Sequence, residues 1–312
     1  MKTLLGLSEL DLARPRVATL GVFDGLHRGH RVVLTRLIAE ARRRGAISTA
    51  VTFDPHPDAV LRGSPPPRLG DPEQLVEGMT ALGVDELVVQ PFDLAFARLE
   101  PEAFLRMVGA GPGLRAFLMS SETAFGRDRS GTVEATRAIG ARLRFEVIVV
   151  AAVLVGRRPI SSSRIREALA GGHIAEARRL LGRPPTVTGR VVEGAGRGRD
   201  LGFPTANLAF DAPVALPADG VYAVRASWRR PGGHRAWHTA PGVASLGVRP
   251  TFGGGERLLE VHLLGADEPL YGATMRVAFE RRQRGERAFS TPAALVRQMH
   301  RDAERARAIL GI

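Results

Sequence analysis

The chain of 312 residues has no cysteine and a single lysine, Lys2. The first absence excludes disulfides, thiol nucleophiles and cysteine-ligated zinc. The second removes the side chain that a Walker-type phosphate loop, a Schiff base or a lysyl-adenylate intermediate would use. Any phosphate chemistry must therefore rest on backbone N–H groups, arginine, histidine and a metal ion. Aromatic residues make up only 5% of the chain, which argues against a surface that stacks the bases of a nucleic acid. Hydrophobic content is 44% with no long apolar run, the pattern of a soluble globular protein with no membrane partner. The opening stretch from Met1 to Leu7 meets Ser8, Glu9 and Asp11 at once. It is too short for a secretory signal, so a cytoplasmic location is expected.

Arginine supplies nearly all of the positive charge, and the formal net charge is +12. Such a balance suits a polyanionic ligand or a nucleic acid. The arginines are scattered, however, and runs such as Arg42-Arg43-Arg44 and Arg281-Arg282 read as solvated faces. A basic nucleic-acid-binding protein is thus the weaker reading. Nothing in the sequence bears on oligomeric state.

The length suggests two domains. Up to about residue 182, strand and helix patterns alternate. Val17 to Phe23, Ala46 to Phe53, Leu87 to Val89, Arg115 to Met119 and Phe145 to Val155 read as strands. Helix patterns run from about Gly29 to Arg44, Pro72 to Leu82, Glu100 to Val108 and Thr132 to Leu143. Two short helices, Ser162 to Ala170 and Ile174 to Leu181, follow. This order predicts a doubly wound α/β domain with a parallel sheet over residues 1–182. Gly182-Arg183-Pro184-Pro185 then breaks the pattern. From 186 to 312 the period is two, in Val187 to Val192, Gly220 to Trp228, Gly242 to Val248, Leu258 to Leu264 and Thr274 to Glu280. A small antiparallel β-barrel is expected there, closed by a C-terminal helix from Pro292 with Thr291 as its N-cap.

Two segments carry chemistry in the first domain. Gly21 to His30 (GVFDGLHRGH) leaves a strand, turns through glycines and enters a helix. That is where doubly wound folds bind ligands, and the helix N-terminus favours a phosphate. His27 and His30 are three apart, so both imidazoles can face one ligand and stabilise charge developing on it. Ile160 to Arg166 (ISSSRIR) offers serine hydroxyls at a helix start and an arginine one turn later; alone it reads as plain capping. Together the two segments resemble the nucleotidyltransferase superfamily. With Thr52 to Pro57 (TFDPHP) they resemble, more narrowly, the FAD synthetase half of bacterial bifunctional riboflavin kinase/FMN adenylyltransferases. The resemblance implies that ATP is bound by Gly21, Phe23, Gly25, His27, His30, Ser161, Ser162 and Arg166, with the two histidines catalytic. The FMN phosphate would attack the α-phosphorus of ATP and release pyrophosphate. One loop departs from the family. Met119 to Gly126 (MSSETAFG) stands where the family has V-G-x-D/N-F-x-F-G, so Ser120, Glu122 and Thr123 replace glycine, Asp/Asn and phenylalanine. Glu122 and Phe125 are the flavin contacts implied there. A monofunctional kinase with a diverged first domain is the rival reading that this loop leaves open.

In the second domain, Gly194 to Leu208 (GAGRGRDLGFPTANL) is rich in glycine and ends in Thr205-Ala206-Asn207. In extended chain Thr205 and Asn207 face the same way, and their oxygens suit Mg²⁺. A glycine-rich hairpin with a polar strand end would look similar by spacing alone. The full stretch resembles the riboflavin kinase signature G-x-x-R-G-x-x-L-G-x-P-T-A-N. The resemblance continues in Gly220 to Tyr222, Gly242 to Phe252, Leu259 to Leu264 and Leu270 to Gly272. It implies ATP at Gly198 and Thr205, Mg²⁺ at Thr205 and Asn207, and Glu260 as the base that takes the proton of the riboflavin 5′-hydroxyl. It also implies a flap over the flavin from Arg282 to Phe289, with Arg282 a candidate contact.

Overall fold

In the computed structural model, residues 1–111, 113–194, 198, 201–231, 236–248, 257–265 and 270–312 are described. Ala195-Gly196-Arg197, Arg199-Asp200 and Arg249-Pro250-Thr251-Phe252 of the sequence motifs lie outside them. Packing divides the chain into two compact units.

The first unit comprises Met1–Pro66 and Pro72–Ser161. Its strands are β1 Lys2–Leu4, β2 Arg16–Leu20, β3 Ile47–Asp54, β4 Glu86–Pro91, β5 Leu114–Ser120 and β6 Glu146–Val150. They form one sheet in the order β1-β4-β3-β2-β5-β6, every pairing parallel. Helices α1 Arg28–Arg43, α2 Pro57–Arg62, α3 Pro72–Leu82, α4 Leu94–Ala97, α5 Pro101–Met107 and α6 Val133–Leu143 link them. Two hydrophobic clusters pack on this framework, one holding Ala18, Phe117 and Phe104, the other Val17, Ala50 and Leu34. Adjacent residues Val17 and Ala18 thus serve different cores, which is why β2 and β3 are buried along most of their length rather than at every second residue. Helix α1 buries Leu34, Leu37, Ile38 and Ala41, and each fully buried leucine is worth roughly 1.5–3 kcal/mol. β1 is an edge strand that sequence reasoning missed, because three residues are too few to show a period. A small antiparallel pair, β7 Leu154–Val155 and β8 Arg158–Pro159, ends the unit.

The second unit comprises Pro67–Asp71 and Ser162–Ile312. Helices α7 Ser162–Ala170 and α8 Ile174–Leu181 fall where the sequence places them. By packing they cluster with the barrel, so the contact division comes earlier than the turn at 182–185. The barrel is closed and antiparallel. Its strands are β9 Thr186–Val192, β10 Ala206–Ala209, β11 Gly220–Arg229, β12 His238–Val248, β13 Arg257–Leu263 and β14 Thr274–Arg284, in the order β10-β13-β12-β11-β14-β9. Strand β14 alternates buried Met275, Val277 and Phe279 with more exposed neighbours until its register slips twice against β11. Helix α9 Pro292–Leu310 starts as expected, with the Thr291 hydroxyl accepting from Ala294 N–H, and packs Ala303, Ala306 and Leu310 on Ala223 and Leu264. Asp71, the residue before α3, accepts a hydrogen bond from the Thr188 hydroxyl of β9. Among the described residues no helix is long and apolar enough to cross a membrane.

Candidate active sites

β2 lies where the strand order of the parallel sheet reverses, with β3 on one side and β5 on the other. The chain leaving its carboxyl end must turn sharply, and Phe23 (φ 54°) and Gly25 (φ 71°) adopt left-handed conformations to do so. His27 then caps α1, and its Nδ1 accepts from the backbone N–H of His30 at 3.2 Å. An accepting Nδ1 carries no proton, which fixes the tautomer of a neutral ring. The rings of His27 and His30 stack, with centroids 3.6 Å apart and planes 17° from parallel. Phe23 meets His30 edge-on at 5.3 Å. A Cβ on Gly29 would lie 3.1 Å from the His27 ring, so glycine is what leaves room for that ring. The carbonyl of Ile160 lies 3.8 Å from the same point, which brings the second motif alongside the first. His27 is only 5% exposed, and burial pushes its pKa down to about 4. Burial, then the nearby charge of His27, holds His30 well below the usual histidine range. His30 Nδ1 is buried with no hydrogen-bond partner among the described residues. The pair is therefore neutral at pH 7, and an anion placed there would draw both rings toward their charged form.

The other ATP contacts implied by the sequence divide. Gly21 lines a cavity of about 630 Å³ in the first unit, and Ser161 ends that unit, whereas Ser162 opens α7 in the second. Arg166 donates from Nε to the carbonyl of Pro67 at 2.7 Å.

Phe53, Phe92, Phe96, Phe104 and Phe125 also line that cavity, together with Glu122 and Thr123. The phenylalanines form a connected chain of tilted and edge-on contacts, with centroids 5.2–6.2 Å apart. Phe125 is buried against Phe104 and Phe117, so it builds the wall more than it offers a face. The unusual loop has its own internal logic. The hydroxyls of Ser120 and Thr123 lie 2.8 Å apart, and the Ser120 N–H donates to Thr123 Oγ1 at 3.2 Å. Serine in place of glycine and threonine in place of phenylalanine thus form one compensating pair. Glu122 is exposed. Arg127 pairs with Glu100 at 2.6 Å rather than with Glu122.

In the barrel, strand register makes the site. Asn207 on β10 lies opposite Glu260 on β13, Glu260 opposite Ser245 on β12, Ser245 opposite Val221 on β11, and Val221 opposite Arg284 on β14. Five strands contribute one residue each to a single circumferential row, and all five residues line a cavity of about 340 Å³. Gly198 and Thr205 line it too. A Cβ on Gly194 would collide with the Asn207 amide, and one on Gly198 with the Phe203 carbonyl. These two glycines leave room for the Asn207 amide and the Phe203 carbonyl. Asn207 is 6% exposed, and its Oδ1 has no partner among the described residues.

Sequence reasoning missed the far wall of this cavity, which consists of Leu295, Met299 and Asp302 of α9. Their i, i+4, i+7 spacing places them on one helix face, a signal that was available. Asp302 receives a fork from Arg284, Nε at 3.0 Å and Nη2 at 2.7 Å to Oδ2, and Gln298 donates to Oδ1 at 2.9 Å. Arg282 does not line the cavity. Its Nη2 donates to the Asp219 carbonyl at 2.7 Å, because the register slip in β14 sends Arg282 and Arg284 to different surroundings.

A histidine pair on a helix start at a switch point, and a barrel cavity lined by Asn207, Glu260, Ser245 and Thr205 beside Gly194 and Gly198, mark a two-domain enzyme that transfers phosphorus-containing groups. Residues 10–164 match the FAD synthetase family and residues 181–310 the riboflavin kinase family. Proteins named bifunctional riboflavin kinase/FMN adenylyltransferase match this sequence over nearly its whole length. That of Escherichia coli K12 is 34% identical over 100% of this chain and 99% of its own length. That of Listeria monocytogenes is 34% identical over 94% and 92%, and that of Bacillus subtilis 32% over 93% and 91%. A crystal structure of a Streptococcus pneumoniae protein described as a macrolide-efflux protein superposes with a TM-score of 0.85, 30% identity and 98% coverage of both chains. The chain belongs to the bifunctional riboflavin kinase/FMN adenylyltransferase family.

Proposed function

We propose that the barrel converts riboflavin to FMN with ATP, and that the parallel-sheet domain joins FMN to a second ATP to give FAD and pyrophosphate. The observation that carries the first half is the row Asn207–Glu260–Ser245 on adjacent strands. Glu260 accepts the proton of the ribityl 5′-hydroxyl as that oxygen attacks the γ-phosphorus of ATP, and ADP leaves. Phosphoryl transfer depends mainly on positioning and charge neutralisation, so the carboxylate need only orient the hydroxyl and accept the proton late. The Oδ1 of Asn207, which has no hydrogen-bond partner among the described residues, and the Thr205 hydroxyl line the same cavity, and both suit a hard cation. These two side chains would hold Mg²⁺, which when bound neutralises phosphate charge. Two protein oxygens are enough, since Mg²⁺ takes its remaining ligands from phosphates and water. Met299, Leu295 and Leu201 supply an apolar wall of the kind a flavin ring needs.

In the first domain an FMN phosphate oxygen attacks the α-phosphorus of ATP and pyrophosphate departs. His27 and His30 hydrogen-bond the phosphates and stabilise the charge that grows in the transition state. The aromatic cavity takes the flavin. Both reactions draw on ATP, and the cytoplasm is the compartment proposed for them.

Chromatography of products from riboflavin, ATP and Mg²⁺ tests the whole reading. FMN should appear first and FAD after it. FMN with no FAD, even at saturating FMN, would leave only the kinase. We further propose that the working boundary of the kinase is the turn at 182–185. A fragment starting at Thr186 should fold and phosphorylate riboflavin. If activity needs residues 162–181 as well, the boundary lies at the contact division instead.

A further inference from the structure

His262 has no role in the scheme above. It sits on β13 two residues after Glu260 and lines the same cavity. Its Nδ1 lies 2.9 Å from the carbonyl oxygen of Pro204. A carbonyl only accepts, so Nδ1 carries the proton and donates. The ring also packs on Phe203, with centroids 5.0 Å apart, and His300 of α9 meets Phe203 edge-on at 4.8 Å. The Phe203 N–H donates to the Gly198 carbonyl at 2.7 Å. Two consecutive residues are thereby fixed: Phe203 by two imidazoles and a backbone bond, Pro204 by the His262 donor. The next residue is Thr205, and β10 begins immediately after it. Because a peptide unit is planar, fixing the Pro204 carbonyl fixes the direction of the Thr205 N–H and the point at which the strand starts.

We infer that His262 is a positioning residue for phosphate transfer in the barrel: it donates from Nδ1 to Pro204 and so aims Thr205, and with it the nucleotide phosphates, without touching the flavin. The inference rests on the reading of the barrel as the site of riboflavin phosphorylation. It separates the two nitrogens of one ring. The nitrogen of an asparagine amide can occupy the place of Nδ1, whereas that of glutamine reaches the place of Nε2.

The test is steady-state riboflavin phosphorylation by the full-length chain carrying His262→Asn, His262→Gln or His262→Phe, with ATP and riboflavin varied separately. Loss of one hydrogen bond should raise KM for ATP about three- to tenfold in the Gln and Phe variants. Their KM for riboflavin should be unchanged. His262→Asn should stay within about twofold of the wild type, since it keeps the donor. Should the Phe variant fold poorly, the two polar variants carry the comparison. Rescue by Gln and not by Asn would assign the role to Nε2 and overturn the inference. So would wild-type kinetics in all three variants, or a change in riboflavin KM with none in ATP KM. A wild-type chain that forms no FMN would instead overturn the kinase reading itself.

Discussion

The two candidate sites, each proposed to hold phosphate without a lysine, are built in opposite ways. The parallel-sheet site relies on one turn, Gly21 to His30, where two neutral imidazoles stack at a helix start. The barrel site draws one residue from each of five strands, and hydrogen-bond register determines its geometry. The first is local in sequence and sensitive to protonation. The second is dispersed in sequence, built on oxygen donors, and needs α9 to complete its wall. If both hold phosphate as proposed, one comes from a short motif and the other from a topology, and the two should fail differently when perturbed.

The sharpest separation should come from Glu260→Gln. Riboflavin phosphorylation should fall by roughly two to four powers of ten, the usual range for a lost general base. FAD formation from supplied FMN should be unchanged in the same preparation. A near-normal kinase rate would remove Glu260 from the proposed role. His30→Ala is the mirror experiment. Adenylylation of FMN should drop by about two to three powers of ten while FMN formation continues. Equal losses in both reactions would break the comparison.

The dispersed site should also be the one tied most directly to stability. Asp302→Ala leaves the largely enclosed Arg284 without its carboxylate, and breaking a fully buried pair costs about 3–5 kcal/mol, an upper bound here since Arg284 keeps some exposure. Chemical denaturation should show that loss, together with weaker riboflavin binding, because Asp302 and its neighbours on α9 line the cavity. A stable variant with normal riboflavin affinity would show that α9 is a lid of little consequence.

The local site should respond to acid. His27 has a folded pKa of about 4 against 6.5 for the free side chain. Between those values the unfolded chain binds more protons than the folded one. Stability therefore falls as pH drops below about 6.5, and this contribution levels off near 4, a loss of about 3 kcal/mol from His27 alone. Thermal melts from pH 7.5 to 4.5 should show the decline, and His27→Gln should make it shallower, leaving the share that His30 contributes. The smallest effect belongs to the unusual loop. Since Ser120 and Thr123 bond each other, Thr123→Phe alone strands the Ser120 groups. The double change Ser120→Gly, Thr123→Phe should lower KM for FMN about two- to tenfold, the worth of one aromatic contact.

The same contrast explains what could be read in advance. The turn from Gly21 to His30 was legible because every residue of it is contiguous. Helices α7 and α8 and the caps of α9 were legible for the same reason. In the barrel, Thr205, Asn207 and Glu260 were reached through a family resemblance, since spacing alone could not join β10 to β13. Arg284 was overlooked in favour of Arg282 because two register slips in β14 are invisible in a period-two pattern. The pairing of Ser120 with Thr123 was missed because each replacement was weighed alone. His262 drew no notice, as its partner Pro204 lies 58 residues away.

The ring of paired residues around the barrel also bears on how such a gene can change. Substitutions alter one member of the ring at a time. A single-residue insertion within β10, β12 or β13 does something else, since it turns every later side chain of that strand to the opposite face. Inserting two residues restores the facing but displaces the ring member by roughly 7 Å along the strand. Insertions in this domain should therefore be tolerated in the connections between strands, and within a strand most readily in β14, which already carries extra residues at its two slips while the barrel stays closed.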